Sequence, residues 1–310
     1  MMAWCATIFV LLAFWGCAEP NIEAGVNLES STVTDSSLVN PVAYLVSAAD
    51  SVPNDSLRAI PVAVAFHGFS ASTFEWKEFR EYLDSLGSVR LSLPLLGGHG
   101  RDYEDFKKAT WRDWQDEPMA EYKKLSDRGY VNLSLVCSST GCPLLLEAFE
   151  SGRFKNLVAP KQLVMVDPIV SPSSKLLTII DIAGSVMSNV ETECSEVEKA
   201  NWYCNRPQEA LNQLMDLLTL VRGMLENGVV APLGTQVTLY KSIQDPSADP
   251  VSALMIYKGL RESTKTKIVV HMVESKLHVF TRLAGRESWT AIDEALQLKT
   301  FAEMDSILRQ

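Results

Sequence analysis

The chain has 310 residues, of which 47% are hydrophobic and 21% are charged, a balance typical of a folded globular protein and not of a disordered one. The 28 Lys and Arg residues are outnumbered by 38 Asp and Glu residues, so the formal net charge is −10 at pH 7. Nucleic-acid binding depends on clustered cations, and the sequence has no long basic run, which argues against a nucleic-acid partner.

The first 16 residues carry no charged side chain. Their apolar run, Ala3 to Trp15, is shorter than the ~20 residues that a membrane-spanning helix needs, and it is typical of a signal peptide. We therefore expect residues 1–16 to be a signal peptide and the protein to be exported. Gly16-Cys17 resembles the cleavage site of a bacterial lipoprotein, in which a lipidated Cys17 would tether the protein to a membrane. A plain signal peptide and an uncleaved anchor are the alternatives.

Residues 17–58 are rich in Ser, Asn, Asp and Pro, and we interpret them as a weakly structured tether. After them, short β-branched runs alternate with longer helical patterns, which predicts βα units and a parallel sheet. The predicted strands are Ile60–Phe66, Ser88–Leu93, Val131–Val136, Gln162–Val166, Thr235–Tyr240 and Lys267–Val273. The predicted helices are Phe74–Leu86, Trp111–Leu125, Thr140–Glu150, Val251–Arg261 and Trp289–Leu308.

Residues 168–232 interrupt this alternation, because they have helical periods but no convincing strand. We expect a single α/β domain over residues 59–310, with a helical cap inserted at about residues 168–232. Such a cap would cover the carboxyl ends of the strands, where open α/β sheets bind ligands. Its apolar stretches, Leu177–Ile182 and Leu214–Leu220, either line an acyl site or belong to the core.

The segment Leu133–Pro143 places a cluster of small residues between a buried strand and a helix, which is the pattern of a nucleophile elbow. With Ser139 at the tip of the turn, Cys137 lies two residues before it and Gly141 two residues after it. The motif is then Cys-x-Ser-x-Gly, in which Cys137 stands where the motif has its first glycine. A Ser-rich turn without catalytic function is the alternative.

Ser138 is the rival nucleophile within the same turn. Choosing it would put Val136 and Thr140 at the two positions that need small side chains, so Ser139 is the better candidate.

A serine nucleophile needs a general base from another part of the chain. The chain has four histidines. His67 and His99 follow the first two predicted strands, and His271 lies within the last one, where we expect it to be packed or hydrogen-bonded. In the chain order Ser, Asp, His the base follows the last strand, and His278 meets that condition.

The acid that orients this base should follow a neighbouring strand. Asp245 follows the strand Thr235–Tyr240 and is the preferred candidate. Asp167, at the end of Gln162–Val166, is a rival. Asp249 is a weaker one, because with Pro250 after it we expect it to cap the next helix.

An acyl-transfer site also needs two N–H donors for the developing oxyanion. We expect these donors to be the backbone amides of Thr140, directly after the nucleophile, and of Phe69, which follows His67-Gly68. Gly68 would let the backbone turn close to the site.

Two further cysteines, Cys194 and Cys204, lie in a polar stretch of the cap. In an oxidising compartment they could form a disulfide; otherwise they are free thiols. No group of Cys and His residues has the spacing of a zinc site.

Four stretches in this order resemble the α/β-hydrolase superfamily, and within it the branch of monoacylglycerol lipases and small bacterial carboxylesterases. They are Val64–Ser70, Leu93–Gly100, Thr110–Trp114 and Gln244–Pro250. The resemblance covers about residues 60–308 and implies a mostly parallel sheet with helices on both faces and a helical cap. It also implies that Ser139, Asp245 and His278 are catalytic, with Phe69 and Thr140 as the oxyanion donors. Three residues depart from the pattern of this branch: Cys137, Cys142 and Leu277.

These observations together predict an exported serine hydrolase that cleaves carboxylic esters through an acyl-enzyme. The expected substrate is a small ester or an acylglycerol, and the chemistry requires no metal and no organic cofactor. A non-catalytic binding protein on the same scaffold is one alternative. An acyltransferase or thioesterase with the same three side chains is another.

Overall fold

The computed structural model describes residues 54–173, 189–264 and 267–310. The predicted signal peptide, Cys17, nearly all of the predicted tether and the stretch Leu177–Ile182 lie outside the described residues. Among the helices that the structure describes, none has the length and apolar character to cross a membrane.

The described strands follow the predicted order. They are β1 Val62–Phe66, β2 Arg90–Ser92, β3 Leu133–Ser138, β4 Gln162–Val166, β5 Asn189–Glu191, β6 Asn205–Pro207, β7 Gln236–Ser242 and β8 Ile268–Val273. Six of them form one sheet in the order β2-β1-β3-β4-β7-β8, and every pairing in it is parallel. The six predicted strands each overlap one strand of this sheet.

The described α-helices are α1 Asp55–Arg58, α2 Lys77–Leu86, α3 Tyr103–Lys108, α4 Trp111–Asp127, α5 Gly141–Glu150, α6 Glu196–Lys199, α7 Gln208–Asn227, α8 Val251–Thr264 and α9 Ala291–Leu308. Capping boxes start α4 at Thr110 and α9 at Thr290.

The sheet is buried on both faces, because alternate strand residues enter two separate cores. On one face, Val64 and Leu135 pack with residues of α4, α5, α7 and α8. On the other face, Ala65 and Val136 pack with residues of α2 and α9. Parallel strands with both faces covered are near-continuous apolar runs, which is why the sequence pattern identified them. The predicted α/β class, a mostly parallel sheet with helices on both faces, is confirmed.

Residues 168–232 differ from the purely helical insertion that we expected. Strands β5 and β6 form an antiparallel hairpin, and a disulfide between Cys194 and Cys204 crosses it. Each strand has three residues, and most of them are polar, so no alternating apolar pattern marks them in the sequence. From the sequence, these two cysteines could be either a disulfide or two free thiols, and in the structure they form the disulfide.

The apolar stretch Leu214–Leu220 belongs to helix α7. Leu214, Leu217 and Leu218 of this stretch are buried in the core that α7 shares with α5 and α8. This placement favours the core interpretation of the stretch over an acyl-binding one.

Candidate active site

The turn between β3 and α5 has the backbone geometry of a nucleophile elbow. Ser139 lies at its tip with φ of +45°, a left-handed conformation that residues with a Cβ rarely adopt. A Cβ added at Gly141 would lie 2.3 Å from the carbonyl oxygen of Phe66, so only glycine fits at that position. Strain and close packing at this turn are expected where one side chain must stand clear of the sheet.

A disulfide between Cys137 and Cys142 spans the elbow. Cys137 is near the end of β3, Cys142 is in the first turn of α5, and their Cα atoms are 5.1 Å apart. Both side chains are fully buried. The two cysteines that depart from the glycine pattern of the resembled branch thus form a covalent link across the turn, which the sequence analysis did not anticipate.

We expect the double variant C137A/C142A to lower the free energy of unfolding by about 2 kcal/mol, because the bond closes a short loop. Denaturant unfolding at equal protein concentration measures the loss. The matched control is C194A/C204A, which removes the disulfide of the cap hairpin and leaves the elbow intact. An unchanged unfolding midpoint for C137A/C142A, or two alkylatable thiols at these positions in denatured wild-type protein, would contradict the prediction.

The structure brings Ser139, His278 and Asp245 together in one hydrogen-bonded series. Nε2 of His278 lies 2.8 Å from Oγ of Ser139, and Nδ1 of His278 lies 2.8 Å from Oδ2 of Asp245. The three residues follow β3, β8 and β7, whose carboxyl ends meet at one edge of the sheet. The His278 side chain is 21% exposed and the Asp245 side chain is fully buried. The imidazole of His278 is therefore accessible from the outside, while the carboxylate of Asp245 is shielded from water.

Both oxygens of Asp245 are saturated by donors. Oδ1 accepts hydrogen bonds from the backbone amides of Ser247 and Ala248, at 2.8 and 3.0 Å. Oδ2 accepts from His278 and from Nζ of Lys241. Burial works against ionisation, but the charges and hydrogen bonds of His278 and Lys241 outweigh it and hold the pKa of Asp245 well below its usual range.

Asp167, the main rival for the role of acid, is directed to other partners. Its oxygens accept hydrogen bonds from the amide and hydroxyl of Ser242, at 2.7 and 3.0 Å, and from the amide of Phe280 at 3.1 Å. Burial raises its pKa, and the nearby charge of Asp245 adds to this effect. The third candidate, Asp249, accepts a hydrogen bond from the amide of Val251 at the start of α8, as expected of a helix cap.

Sequence reasoning missed Lys241, which is fully buried between the two carboxylates. Its Nζ contacts Asp245 and lies 3.5 Å from Oδ1 of Asp167. Potential ligand atoms of Asp167, Asp245 and His278 lie within 4.8 Å of one another, a spacing that could hold a metal ion. The Lys241 ammonium already supplies a cation to both carboxylates, so this cluster does not need one. A lysine near the end of a strand that is buried almost throughout was the available signal.

The two predicted oxyanion donors are backbone amides of the loop after β1 and of the turn after β3. The amides of Phe69 and Thr140 have no hydrogen-bond partner among the residues that the structure describes. The Phe69 loop is held by Glu75, whose Oε1 accepts the amide of Gly68 at 2.7 Å and the hydroxyl of Ser138. A Cβ added at Gly68 would lie 3.1 Å from Cβ of Ser139, so glycine at this position allows the loop to approach the nucleophile.

The other three histidines have structural surroundings. Nε2 of His67 accepts the amide of Leu96 at 3.0 Å, and burial lowers the pKa of His67 to about 4. His99 is buried among aromatic rings, and burial also lowers its pKa. His271 stacks on Tyr240 with 4.8 Å between ring centroids. Of the four, His278 is the one that contacts a serine hydroxyl.

A cavity of about 420 Å³ opens above Ser139 and His278. Charged groups are prominent in its wall. Its lining includes Phe69, Glu75, Glu193, Glu198, Trp202, Arg206, Lys276, Leu277, Arg282 and Arg286. The cap hairpin and the loop after β8 supply most of these residues.

Comparison with known proteins found no matching family model. The chain is 26% identical over 225 residues to the thermostable monoacylglycerol lipase of Bacillus sp. (strain H-257), which covers 71% of this chain and 84% of that protein. A solved structure from work on the metagenome-derived lipolytic enzymes LipS and LipT matches with a TM-score of 0.59 and 20% identity, over 80% of this chain and 95% of that one. A soluble variant of monoglyceride lipase from Saccharomyces cerevisiae matches with a TM-score of 0.58 and 13% identity, over 81% and 86%.

The match to the Bacillus lipase covers 71% of the chain, and the two solved structures cover 80% and 81% of it. The chain therefore has the α/β-hydrolase fold, and it is similar to the monoacylglycerol lipases within that fold.

Proposed function

We propose that this protein is a serine hydrolase that cleaves carboxylic esters through a covalent acyl-enzyme. The observation that carries the proposal is the unbroken hydrogen-bonded series from Ser139 Oγ through His278 to Asp245. The similarity to a monoacylglycerol lipase supports an ester, and acylglycerols are the first natural class to test.

In the proposed reaction, Oγ of Ser139 attacks the ester carbonyl carbon and passes its proton to Nε2 of His278. Asp245 holds the Nδ1–H tautomer and stabilises the imidazolium that forms. His278 then protonates the leaving alcohol as the C–O bond breaks, which leaves an ester between Ser139 and the acyl group. Water, deprotonated by His278, attacks this ester, and the proton returns to Ser139 as the carboxylic acid departs.

The tetrahedral intermediates place negative charge on the former carbonyl oxygen. The free amides of Phe69 and Thr140 are the donors that we assign to it. The start of helix α5 lies directly after Thr140, and the positive end of its dipole favours the same charge. A preorganised donor of this kind contributes about 3 kcal/mol to the transition state.

We also propose that the chain is exported, and that Cys17 carries the lipid of a membrane tether. The uncharged apolar start of the sequence supports export. The two disulfides support it independently, because such bonds persist in oxidising compartments.

A fluorophosphonate probe tests the proposal directly, because it reacts with a serine only when that serine is activated. We expect labelling of the folded protein, located at Ser139 by peptide mass mapping. The heat-unfolded protein is the control and should remain unlabelled. Absence of labelling in the folded protein would favour a binding protein on the same scaffold, and labelling at Ser138 would shift the nucleophile by one residue.

A further inference from the structure

The cavity above Ser139 carries a surplus of positive charge in a protein that is acidic as a whole. Four cations line it, Arg206, Lys276, Arg282 and Arg286, against the carboxylates Glu75, Glu193 and Glu198. Glu75 is already occupied by the Phe69 loop and by Ser138. Glu193 and Lys276 are both exposed at the mouth and offset each other in charge.

The three arginines share one carboxylate, that of Glu198. Nη1 of Arg282 donates to Glu198 at 3.1 Å, and its guanidinium lies over the ring of Trp202 at 4.5 Å. Arg286 donates to the backbone carbonyl of Arg282 at 2.7 Å, and burial together with the charge of Arg282 lowers the pKa of Arg286 to about 10. Glu198 acts electrostatically on Arg206 as well. Glu198 thus acts on all three guanidinium groups and forms an ion pair with one of them, while Glu75 and Asp167 also act on Arg286.

Neither Arg206 nor Arg286 forms an ion pair among the described residues, but the side chain of Arg286 donates hydrogen bonds to backbone carbonyls and the side chain of Arg206 donates none. The Nε of Arg206 is closed to solvent and has no hydrogen-bond partner in any part of the chain that the structure describes. Burial lowers its pKa. Leaving the closed Nε of this half-buried guanidinium without a partner costs free energy, which an anionic ligand would offset.

The backbone around Arg206 fixes its position over the site. Arg206 pairs with Val190 across the β5–β6 hairpin, and the Cys194–Cys204 disulfide crosses the same hairpin. The amide of Tyr203 donates to the carbonyl oxygen of Ser70 at 2.8 Å, which ties the hairpin to the loop beside the oxyanion donors. The guanidinium is therefore held at the wall of the cavity by the fold.

We infer that this cavity selects esters bearing a second, anionic group, a carboxylate or a phosphate, which Arg206 binds while Ser139 attacks the ester. The inference rests on the proposed ester hydrolysis and narrows its substrate class. A guanidinium suits either group, because its N–H donors match two oxygens at once. The apolar stretch Leu214–Leu220 does not line this cavity, so it offers no competing acyl wall there.

Two matched pairs of esters test the inference and distinguish the two anions. In the first pair, para-nitrophenyl hydrogen glutarate carries a carboxylate on the acyl side, and its methyl ester is the neutral counterpart. In the second pair, butanoylglycerol phosphate carries a phosphate on the alcohol side, and butanoylglycerol is the neutral counterpart. In at least one pair we expect kcat/KM to be at least about tenfold higher for the charged ester than for the neutral one. This is the effect expected when the charged ester forms one additional charge-assisted hydrogen bond. The pair that responds identifies the accepted anion together with the side of the ester that carries it.

The variant Arg206→Gln should lower this charged-to-neutral ratio by about tenfold. The ratio within one protein sample cancels any loss of folded enzyme. Arg90→Gln is the matched control, because Arg90 is exposed at the start of β2, outside the cavity, and it should leave the ratio unchanged. Equal rates within both pairs, or a preference that survives Arg206→Gln, would overturn the anion site alone. Failure to hydrolyse any of the four esters would overturn the proposed function and this inference with it.

Discussion

Replacing Ser139 with Ala is expected to reduce kcat/KM for a para-nitrophenyl ester by about 10⁴-fold or more. The variant lacks the oxygen that attacks the carbonyl, and His278 has no other hydroxyl within hydrogen-bond distance in the described structure. The binding cavity and the free amides of Phe69 and Thr140 remain, so residual turnover at that lower level is consistent with the mechanism. Initial rates of nitrophenolate release, on protein purified from a host strain without the wild-type gene, give the measurement.

Ser138→Ala is the matched control for this experiment. Ser138 donates to Glu75 and is fully buried, so it has a structural contact and no access to substrate. We expect this variant to retain activity within about tenfold of wild type, since it loses one hydrogen bond and no reacting atom. Undiminished activity of S139A, or a larger loss in S138A than in S139A, would refute the assignment of the nucleophile.

Replacing Asp245 with Asn is expected to lower kcat by about 10⁴-fold, because an amide in this position favours the wrong imidazole tautomer. Oδ2 of Asp245 lies 2.8 Å from Nδ1 of His278, so the change falls on the atom that orients the base. The loss should appear in kcat, with KM little changed, because Asp245 is buried behind His278 and does not line the cavity. Steady-state kinetics with one soluble ester separates the two constants.

Asp167→Asn makes the same chemical change at the neighbouring carboxylate. Asp167 contacts Ser242, Phe280 and Lys241, and those contacts stabilise the loops on which Asp245 and His278 lie. We therefore expect a lower melting temperature and a loss in kcat at least about 100-fold smaller than that of D245N. The reverse order of the two variants would transfer the role of acid to Asp167.

The six strands of the sheet and most helices could be predicted, because each buried parallel strand is an apolar run of its own, whereas the hairpin strands β5 and β6 could not. Gln162–Val166 was predicted at its observed bounds, and the other strands differ by a few residues at their ends. Strands β3 and β4 end directly before Ser139 and Asp167. Both residues adopt positive φ, and in the sequence both positions mark a change from apolar residues to small or polar ones. The site residues could be ranked because strand order restricts which side chains reach the carboxyl edge of the sheet.

The remaining features depend on contacts between distant segments, which one sequence does not reveal. Helix α3, Tyr103–Lys108, was missed because it is short. Its two buried residues are too few to show a helical repeat of apolar positions in the sequence. The Cys137–Cys142 bond was missed because both cysteines were considered singly, as replacements for glycine. Lys241 was missed because a lysine is buried only where its charge is neutralised. The carboxylates that neutralise it, Asp167 and Asp245, come from two different loops.

The hairpin of residues 189–207 lies between β4 and β7, outside the sheet that holds the serine, histidine and aspartate. It contributes Arg206 to the cavity but no atom to the transfer of protons. Substitutions at hairpin residues that face the cavity, such as Arg206, can therefore change which molecules the proposed hydrolase accepts without removing an atom from the proposed proton transfer. In evolution or in directed engineering, new substrate ranges can arise at the cavity face of this hairpin of nineteen residues (189–207) while the proposed chemistry is inherited intact.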